Sequence, residues 1–242
     1  MNKQIIEHLF AFWEQIGTYG GFFGIEQGYT FTNPSQDSWP SKVFNLDVDT
    51  LDIQGLQQKI QSQTIPNSIG IYQSNTLKNN LESQGFRLTS KIKAMALDTT
   101  NIDFDQVAVS DFVPVESPNE ARLFAQVASE SFGYPVAPST IEVLTDKPEL
   151  QLFLGKLGNS FASCGMVYID KNWVSGIHMI GTKAAYRGMG LGKKMTQFLI
   201  HQSQKAKSKM VFLVASQEGE RIYHKLGFTT YGHLESFSFP LY

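Results

Sequence analysis

The fold is decided by the stretch Arg187-Gly188-Met189-Gly190-Leu191-Gly192. An apolar run, Trp173 to Thr182, precedes it and a helical pattern, Lys193 to Lys207, follows it, so the order is strand, tight turn, helix. The first N–H groups of a helix lack backbone partners and lie at the positive end of the helix dipole. Glycines let a phosphate approach those N–H groups closely, and Arg187, Lys193 and Lys194 add positive charge. The stretch therefore predicts a cradle for a ligand that carries a pyrophosphate.

The spacing of the glycines excludes two common nucleotide motifs. A dinucleotide fingerprint, G-x-G-x-x-G, fits Gly188 and Gly190 but requires a third glycine where the chain has Lys193. A P-loop requires a glycine where the chain has Arg187 and a hydroxyl residue where it has Lys194. The ligand is therefore expected to be a different pyrophosphate compound.

A second pattern lies downstream of the turn. The continuous apolar run from Met210 to Ala215 is typical of a buried strand. Residues Ser216 to Lys225 form a short helical pattern, and Gly227 stands where a helix C-terminus favours a left-handed residue. The predicted order is strand, short helix, last strand.

Together the two patterns resemble the GNAT superfamily of acyl-CoA N-acyltransferases. The turn fits the [Arg/Gln]-x-x-Gly-x-[Gly/Ala] signature of that superfamily, and Tyr223-His224-Lys225-Leu226-Gly227-Phe228 fits its Tyr-x-x-x-Gly-Phe motif. The resemblance covers roughly Asp111 to Phe239, a little over half of the chain. It implies an α/β fold, a mixed and mostly antiparallel sheet flanked by helices.

The remaining elements of the second half follow the same order. Ser117 is predicted as a helix N-cap with Glu120 three residues later, a capping box. Two consecutive strands are predicted to meet at Gly158-Asn159. The predicted elements are a strand at 112–115, helices at 117–132 and 138–144, and strands at 150–158, 160–170 and 173–182.

The first half of the chain contains an internal repeat of the short-helix unit. Ser74 to Gly85-Phe86 has the same spacing as Ser216 to Gly227-Phe228. Leu81 replaces Tyr223 in the first copy, and residues 1–105 contain no counterpart of the glycine turn. The spacing is compatible with a degenerate GNAT-like domain at 1–105 before a catalytic domain at 106–242, or with a generic strand–helix–strand unit.

Composition restricts the class of protein and its partners. The chain has 242 residues, 42% of them hydrophobic and 17% charged, which is enough to bury a core. A net charge of −2 gives no general attraction to nucleic acid, and no apolar run is long enough to cross a membrane. Cys164 is the single cysteine, so no disulfide can form within the chain and a cytoplasmic location is expected. Its apolar surroundings favour a core role over a catalytic one.

The resemblance implies a set of cofactor-binding residues for acetyl-CoA. Backbone groups of Ile180, Gly181 and Thr182 would bind the pantetheine arm, which lies like an added strand. The turn and the residues beside it would bind the pyrophosphate and neighbouring groups: Arg187, Gly188, Met189, Gly190, Leu191, Gly192, Lys193 and Ser216.

The resemblance also implies the catalytic roles. Tyr223 would protonate the departing thiolate, since an unperturbed tyrosine keeps its proton at neutral pH. The attacking amine needs a base, and residues 171–186 contain no carboxylate, so His178 is the candidate there. No His, Cys, Asp or Glu set has the spacing of a metal site.

The expected function is N-acetyl transfer from acetyl-CoA to a primary amine on a small molecule or peptide. Direct transfer in a ternary complex is expected, because no activated nucleophile is visible. Neither a nucleic-acid nor a membrane partner is expected, and the sequence leaves the oligomeric state and the acceptor open. Three alternatives remain: a longer-chain N-acyltransferase, an aminoacyl-tRNA-dependent transferase of tandem GNAT architecture, and a non-catalytic acyl-CoA-binding module.

Overall fold

The computed structural model describes residues 1–35, 38–102 and 109–241. The chain forms two compact units, one made of Met1–Ala94 with Thr230–Tyr242 and the other of Met95–Thr229. The boundary expected between residues 105 and 106 lies outside the described residues and stays a prediction.

The first unit has one sheet and helices in its described part. Helix α1 (Asn2–Gly20) is followed by strands β1 (Phe23–Glu26), β2 (Tyr29–Thr32) and β3 (Lys42–Phe44), helix α2 (Ile53–Gln61), strand β4 (Ile69–Tyr72), helix α3 (Asn75–Ser83) and strand β5 (Arg87–Asp98). The C-terminal strand β11 (Thr229–Ser238) belongs to this unit almost entirely. The strand order is β1-β2-β3-β4-β11-β5, with β3 and β4 parallel and β4 and β11 antiparallel.

The second unit follows a similar sequence of elements and adds a strand before its first helix and a second helix before its three antiparallel strands. It contains strand β6 (Phe112–Pro114), helices α4 (Pro118–Phe132) and α5 (Pro138–Glu142), strands β7 (Leu150–Leu157), β8 (Ser160–Ile169) and β9 (Ser175–Thr182), helix α6 (Leu191–Lys205), strand β10 (Met210–Ala215) and helix α7 (Gln217–Lys225). Its strand order is β5-β10-β9-β8-β7-β6, where only the last four residues of β5 belong to this unit. Strands β7, β8 and β9 are antiparallel, and β9 and β10 are parallel. The predicted fold class, a mixed and mostly antiparallel sheet flanked by helices, is confirmed.

The two units therefore share the order of elements that follows their first helices. In each, three antiparallel strands lead through a helix, α2 or α6, to a parallel strand and then to a short helix, α3 or α7. The strand after α3 continues into the second unit beside β10, whereas the strand after α7 pairs with β4 of the first unit. This correspondence favours the tandem interpretation of the repeat over a chance spacing.

The repeated short helices have the same caps. The Ser74 hydroxyl accepts from the Leu77 N–H at 3.4 Å, and the Ser216 hydroxyl accepts from the Gly219 N–H at 3.2 Å. At their ends, Phe86 N–H donates to Leu81 O at 3.1 Å and Phe228 N–H donates to Tyr223 O at 3.0 Å. Each helix is thus followed by a glycine in the left-handed conformation, with φ of 84° at Gly85 and 95° at Gly227.

Helix α4 begins where the sequence predicts. Ser117 Oγ accepts from the Glu120 N–H at 3.3 Å and the Glu120 carboxylate accepts from the Ser117 N–H at 3.0 Å, which completes the capping box. These N–H donors stabilise the ionised carboxylate, so the pKa of Glu120 is lowered, chiefly by the Glu116 N–H. The helix buries Phe124 and the alanines around it against the sheet.

Other element bounds differ from the prediction by a few residues. Helix α6 begins at Leu191, two residues earlier than predicted, because Gly190 adopts the left-handed N-cap conformation inside the glycine turn. Strand β9 begins at Ser175, because Trp173 belongs to a turn that the Asp170 carboxylate closes through the Asn172 and Val174 N–H groups. Such boundaries depend on local hydrogen bonds that periodicity does not reveal.

Candidate active site

Strands β9 and β10 of the second unit pair only near their beginnings in the described residues, and the unpaired stretch between them is called the slot below. The two parallel strands pair at Ser175–Val211 and Gly176–Phe212. Both then continue, β9 to Thr182 and β10 to Ala215, with no further pair between them in the described residues. The N–H and C=O groups along this edge of β9 are thus placed to pair with an extended ligand that enters as an added strand.

The glycine turn lies at the end of this edge. After a single 3-10 turn at Ala184–Tyr186, Gly188 and Gly190 take φ values of 80° and 76°. A Cβ built on either glycine would meet no heavy atom within 4 Å. The glycines are therefore required by backbone conformation, and the space above them is open to a ligand.

The N-terminus of α6 opens onto the same space. No side chain caps it, and the first bond that its N–H groups make to the turn is from Lys194 to Gly190 O at 3.1 Å. The N–H groups of residues 191–193 lie before this first helical bond, so the helix itself offers them no acceptor. Lys193 and Lys194 are exposed beside them. Open space, N–H donors and positive charge fit a pyrophosphate group.

Arg187 has a different position from the other cations. Its guanidinium donates to Ser131 O at 2.9 Å through Nη2 and to Thr182 O at 3.4 Å through Nε. It thereby ties the end of α4 and the end of β9 to the glycine turn. A contact between Arg187 and a phosphate stays a prediction.

Gly192 shows how closely the parts of the site approach one another. A Cβ on Gly192 would lie 3.8 Å from Thr182 Oγ1 on β9 and 3.8 Å from Ile222 Cδ1 on α7. The cradle, the edge of β9 and the helix that carries Tyr223 therefore meet at one place in the second unit.

Tyr223 is held firmly on α7. It is 9% exposed, its ring packs edge-on to Phe228 at 5.8 Å, and its Cε2 would be 2.9 Å from a Cβ on Gly219. Burial raises the pKa of Tyr223 to about 12, so the hydroxyl keeps its proton at neutral pH. The repeat position in the first unit is Leu81, which is buried and has no proton to donate.

A β-bulge on β9 lies between His178 and the pantetheine-binding positions predicted from the sequence. His178 pairs with Met166 and Gly181 pairs with Cys164, so the register shifts by one residue between these pairs. Met179, at the bulge, has a φ of 52°, which is rare for a residue with a side chain. His178 is 8% exposed.

The Tyr134 hydroxyl donates to Met179 Sδ at 4.0 Å, so an aromatic side chain from the loop after α4 borders this bulge. Tyr134 was not predicted as a site residue, because only the folded chain brings residues 134 and 179 together.

Cys164 and Ser216 each have a role in holding the fold together. Cys164 is fully buried in β8, where its thiol donates to Met179 O at 3.4 Å, and burial raises its pKa to about 12. A thiol with that pKa is not a nucleophile at neutral pH. Ser216 is the N-cap of α7, where its hydroxyl accepts from the Gly219 N–H. Its contact with the cofactor stays a prediction.

The described residues contain neither a metal-binding group nor a membrane-spanning helix. The described part of the chain holds no group of three His, Cys, Asp or Glu side chains arranged to bind a metal ion. None of its described helices combines the length and the hydropathy that crossing a bilayer requires.

Comparison with known families finds one match, and it lies within the second unit. Residues 121–228 match the family described as the acetyltransferase (GNAT) family. This segment runs from α4 through the glycine turn to Phe228, so it includes every candidate site residue. No curated protein matches the chain by sequence.

Solved structures extend the similarity in fold to most of the chain. A GCN5-related N-acetyltransferase from Kribbella flavida superposes with a TM-score of 0.70 at 14% identity, over 90% of this chain and 89% of that one. A GCN5-related N-acetyltransferase from Sphaerobacter thermophilus gives 0.64 at 14% identity, over 96% and 84%. An acetyltransferase of the GNAT family from Colwellia psychrerythraea gives 0.56 at 12% identity, over 99% and 98%.

Proposed function

We propose that this chain is an acyltransferase of the GNAT superfamily, the family that residues 121–228 match, and that it transfers an acetyl group from acetyl-CoA to a primary amine in a ternary complex. The observation that carries this proposal is the slot between β9 and β10, which ends at an open glycine turn and an uncapped helix N-terminus. A ligand with an extended amide-bearing arm and a pyrophosphate at one end matches both parts of the slot.

The cradle would bind the pyrophosphate through backbone N–H groups of residues 188–192. The α6 dipole and the exposed Lys193 and Lys194 favour negative charge at this point. Backbone groups of Ile180, Gly181 and Thr182 would pair with the pantetheine amides along β9. Gly181 is needed for packing, because a Cβ there would lie 2.8 Å from Ser131 Cβ on α4.

Tyr223 would act as the general acid. In direct transfer the amine nitrogen attacks the acyl carbonyl carbon, the C–S bond breaks, and the electron pair of that bond passes to sulfur. The Tyr223 hydroxyl, whose pKa is raised to about 12 by burial, would donate its proton to the thiolate. A donor that remains protonated across the neutral range suits this role.

His178 is the candidate for the base that takes a proton from the acceptor ammonium, so that the neutral amine nitrogen can attack. It lies on β9 next to the bulge, with the pantetheine positions beginning two residues further along. Direct transfer needs no covalent enzyme intermediate, and the buried Cys164 thiol, with a pKa of about 12, offers no nucleophile for one.

The acceptor would be a small-molecule or peptide amine, and a cytoplasmic location remains the expectation. The three alternatives differ in measurable ways. A longer-chain transferase would prefer longer acyl-CoA thioesters, a tRNA-dependent transferase would require aminoacyl-tRNA, and a binding module would bind acetyl-CoA without turnover.

A thermal-shift panel of CoA thioesters, followed by an amine screen with thiol detection, tests the proposal. Acetyl-CoA at 100 times its Kd should stabilise the folded chain by about 2.7 kcal/mol. Free thiol should then appear only with both acetyl-CoA and an amine present. Absence of any stabilisation by acetyl-CoA or CoA would overturn the proposal, and stabilisation without thiol release across the screen would favour the binding module.

A further inference from the structure

The bulge on β9 marks where the acyl end of a bound thioester would lie. If Ile180, Gly181 and Thr182 pair with the pantetheine arm, the arm runs from the glycine turn toward residue 179. The register shift between the Met166–His178 and Cys164–Gly181 pairs turns Met179 out of the β8 ladder. A side chain that borders Met179 would then lie near the acyl group.

Tyr134 is that side chain. Its hydroxyl donates to Met179 Sδ at 4.0 Å, and its ring stacks on Phe132 with centroids 5.5 Å apart and planes 15° apart. Burial raises the pKa of the Tyr134 hydroxyl, whereas 41% of the whole residue remains exposed. The hydroxyl thus contacts Met179, and a large part of the residue stays accessible.

The loop that carries Tyr134 is fixed at both ends. Helix α4 ends at Gly133, which takes the left-handed φ of 76°. After Tyr134 the chain is tied back to α4, because Val136 N–H donates to Ser129 Oγ at 2.9 Å. The Arg187 guanidinium holds the same end of α4 to the glycine turn through Ser131 O. Tyr134 is therefore positioned relative to the cradle by a short series of hydrogen bonds.

We propose that the Tyr134 ring closes the acyl end of the slot and restricts the enzyme to short acyl groups. This inference rests on the proposed function. An acetyl group ends near Met179, and each further methylene would need volume that the ring fills. One methylene in an apolar pocket changes affinity by roughly 10-fold or more, so a single aromatic wall is sufficient to select acetyl over longer groups.

The ring and the hydroxyl make separable contributions. Tyr134→Ala removes the wall, whereas Tyr134→Phe keeps the ring and the stack on Phe132 and loses only the contact with Met179 Sδ. Trp173→Ala is a matched control, since Trp173 is another exposed aromatic residue of the second unit, 64% exposed, and it precedes the opposite end of β9.

Calorimetric Kd values for CoA, acetyl-CoA and hexanoyl-CoA test the wall without any acceptor. CoA reports the cradle and the pantetheine slot, so the ratio of the two thioester affinities isolates the acyl end. Tyr134→Ala should raise the affinity for hexanoyl-CoA relative to acetyl-CoA at least roughly tenfold. Tyr134→Phe and Trp173→Ala should leave that ratio within about twofold of wild type, with the CoA Kd constant throughout.

The outcomes separate this inference from the function on which it rests. If CoA binds every variant alike and Tyr134→Ala leaves the thioester ratio unchanged, Tyr134 does not limit the acyl group. If wild type already binds hexanoyl-CoA more tightly than acetyl-CoA, the wall is also refuted. If neither CoA nor a thioester binds wild type, the proposed function itself fails.

Discussion

At the scale of single residues, the burial of Tyr223 bears on its proposed role as the general acid. Its ring packs against Gly219 and Phe228, and burial raises the pKa of its hydroxyl to about 12. Tyr223→Phe keeps the packing and removes the proton donor, so kcat should fall by roughly 100-fold with little change in CoA affinity. Steady-state kinetics and calorimetry on the same preparation measure both quantities.

Tyr168→Phe provides the control for Tyr223→Phe. Tyr168 is another buried tyrosine of the second unit, on β8, and it has no predicted catalytic role. Its loss of a hydroxyl should leave kcat unchanged. Wild-type turnover by Tyr223→Phe would assign Tyr223 to packing alone.

Cys164 makes the stability of the fold depend on alkaline pH. Burial raises the pKa of its thiol from 9.0 to about 12, so between these values the unfolded chain has lost a proton that the folded chain keeps. Folding stability therefore falls as the pH rises through this window, by about 1.4 kcal/mol per pH unit.

Cys164→Ala should remove that dependence. Urea unfolding at pH 8 and pH 10.5 should show wild type losing about 2 kcal/mol more than the variant over this interval. Tyrosines contribute equally to both proteins, so the difference reports the thiol. Parallel loss in the two proteins would show that the thiol ionises without unfolding.

At the scale of elements, the glycine turn and α6 together form the proposed cofactor site. Gly190→Asp would place a side chain and a negative charge in the open space at the helix N-terminus. The affinity for CoA should fall at least roughly tenfold, which corresponds to about 1.4 kcal/mol. Calorimetry with CoA measures the change, and circular dichroism verifies the fold.

Gly21→Asp is the matched control for Gly190→Asp. Gly21 has a φ of 71° and no heavy atom within 4 Å of a built Cβ, so the substitution introduces similar backbone strain and the same charge at the end of α1 in the first unit. Its CoA affinity should equal that of wild type. Equal losses in both variants would attribute the effect at Gly190 to strain.

Elements were predictable from the sequence wherever the signal was local. Ser117 with Glu120 fixed the start of α4, and the apolar run at 210–215 fixed β10, because caps and periodicity act within a few residues. The bulge at Met179 and the Tyr134–Met179 contact depend on how distant segments pack. No short pattern encodes them, so that part of the candidate site emerged only from the structure.

At the scale of the molecule, the sequence indicated a repeat but could not reveal that the C-terminal strand β11 joins the first unit. Spacing from Ser74 to Phe86 reflects local helix geometry, whereas the pairing of β11 with β4 joins residues more than 150 positions apart. The two contacts that the Arg187 guanidinium makes with backbone carbonyls were likewise not readable from the sequence, and its predicted phosphate contact stays a prediction. Its basic character predicted a phosphate contact, and the fold directs its guanidinium to Ser131 O and Thr182 O.

The first unit carries opposite charge where the second has its cradle. Helix α2 occupies the place of α6, but its N-terminus is capped by the Asp52 carboxylate, which accepts from the Gly55 N–H at 3.0 Å. Asp47 and Asp49 precede it in the loop after β3. A capped N-terminus beside three carboxylates repels a pyrophosphate, so this unit is expected to bind no CoA.

The central claim is that each chain binds one CoA, through the cradle of the second unit. Calorimetric titration of the full chain with CoA tests it most directly, with Gly190→Asp titrated alongside. Wild type should bind one CoA per chain, and Gly190→Asp should bind CoA at least roughly tenfold more weakly. Two CoA molecules per chain, or undiminished binding by folded Gly190→Asp, would contradict it.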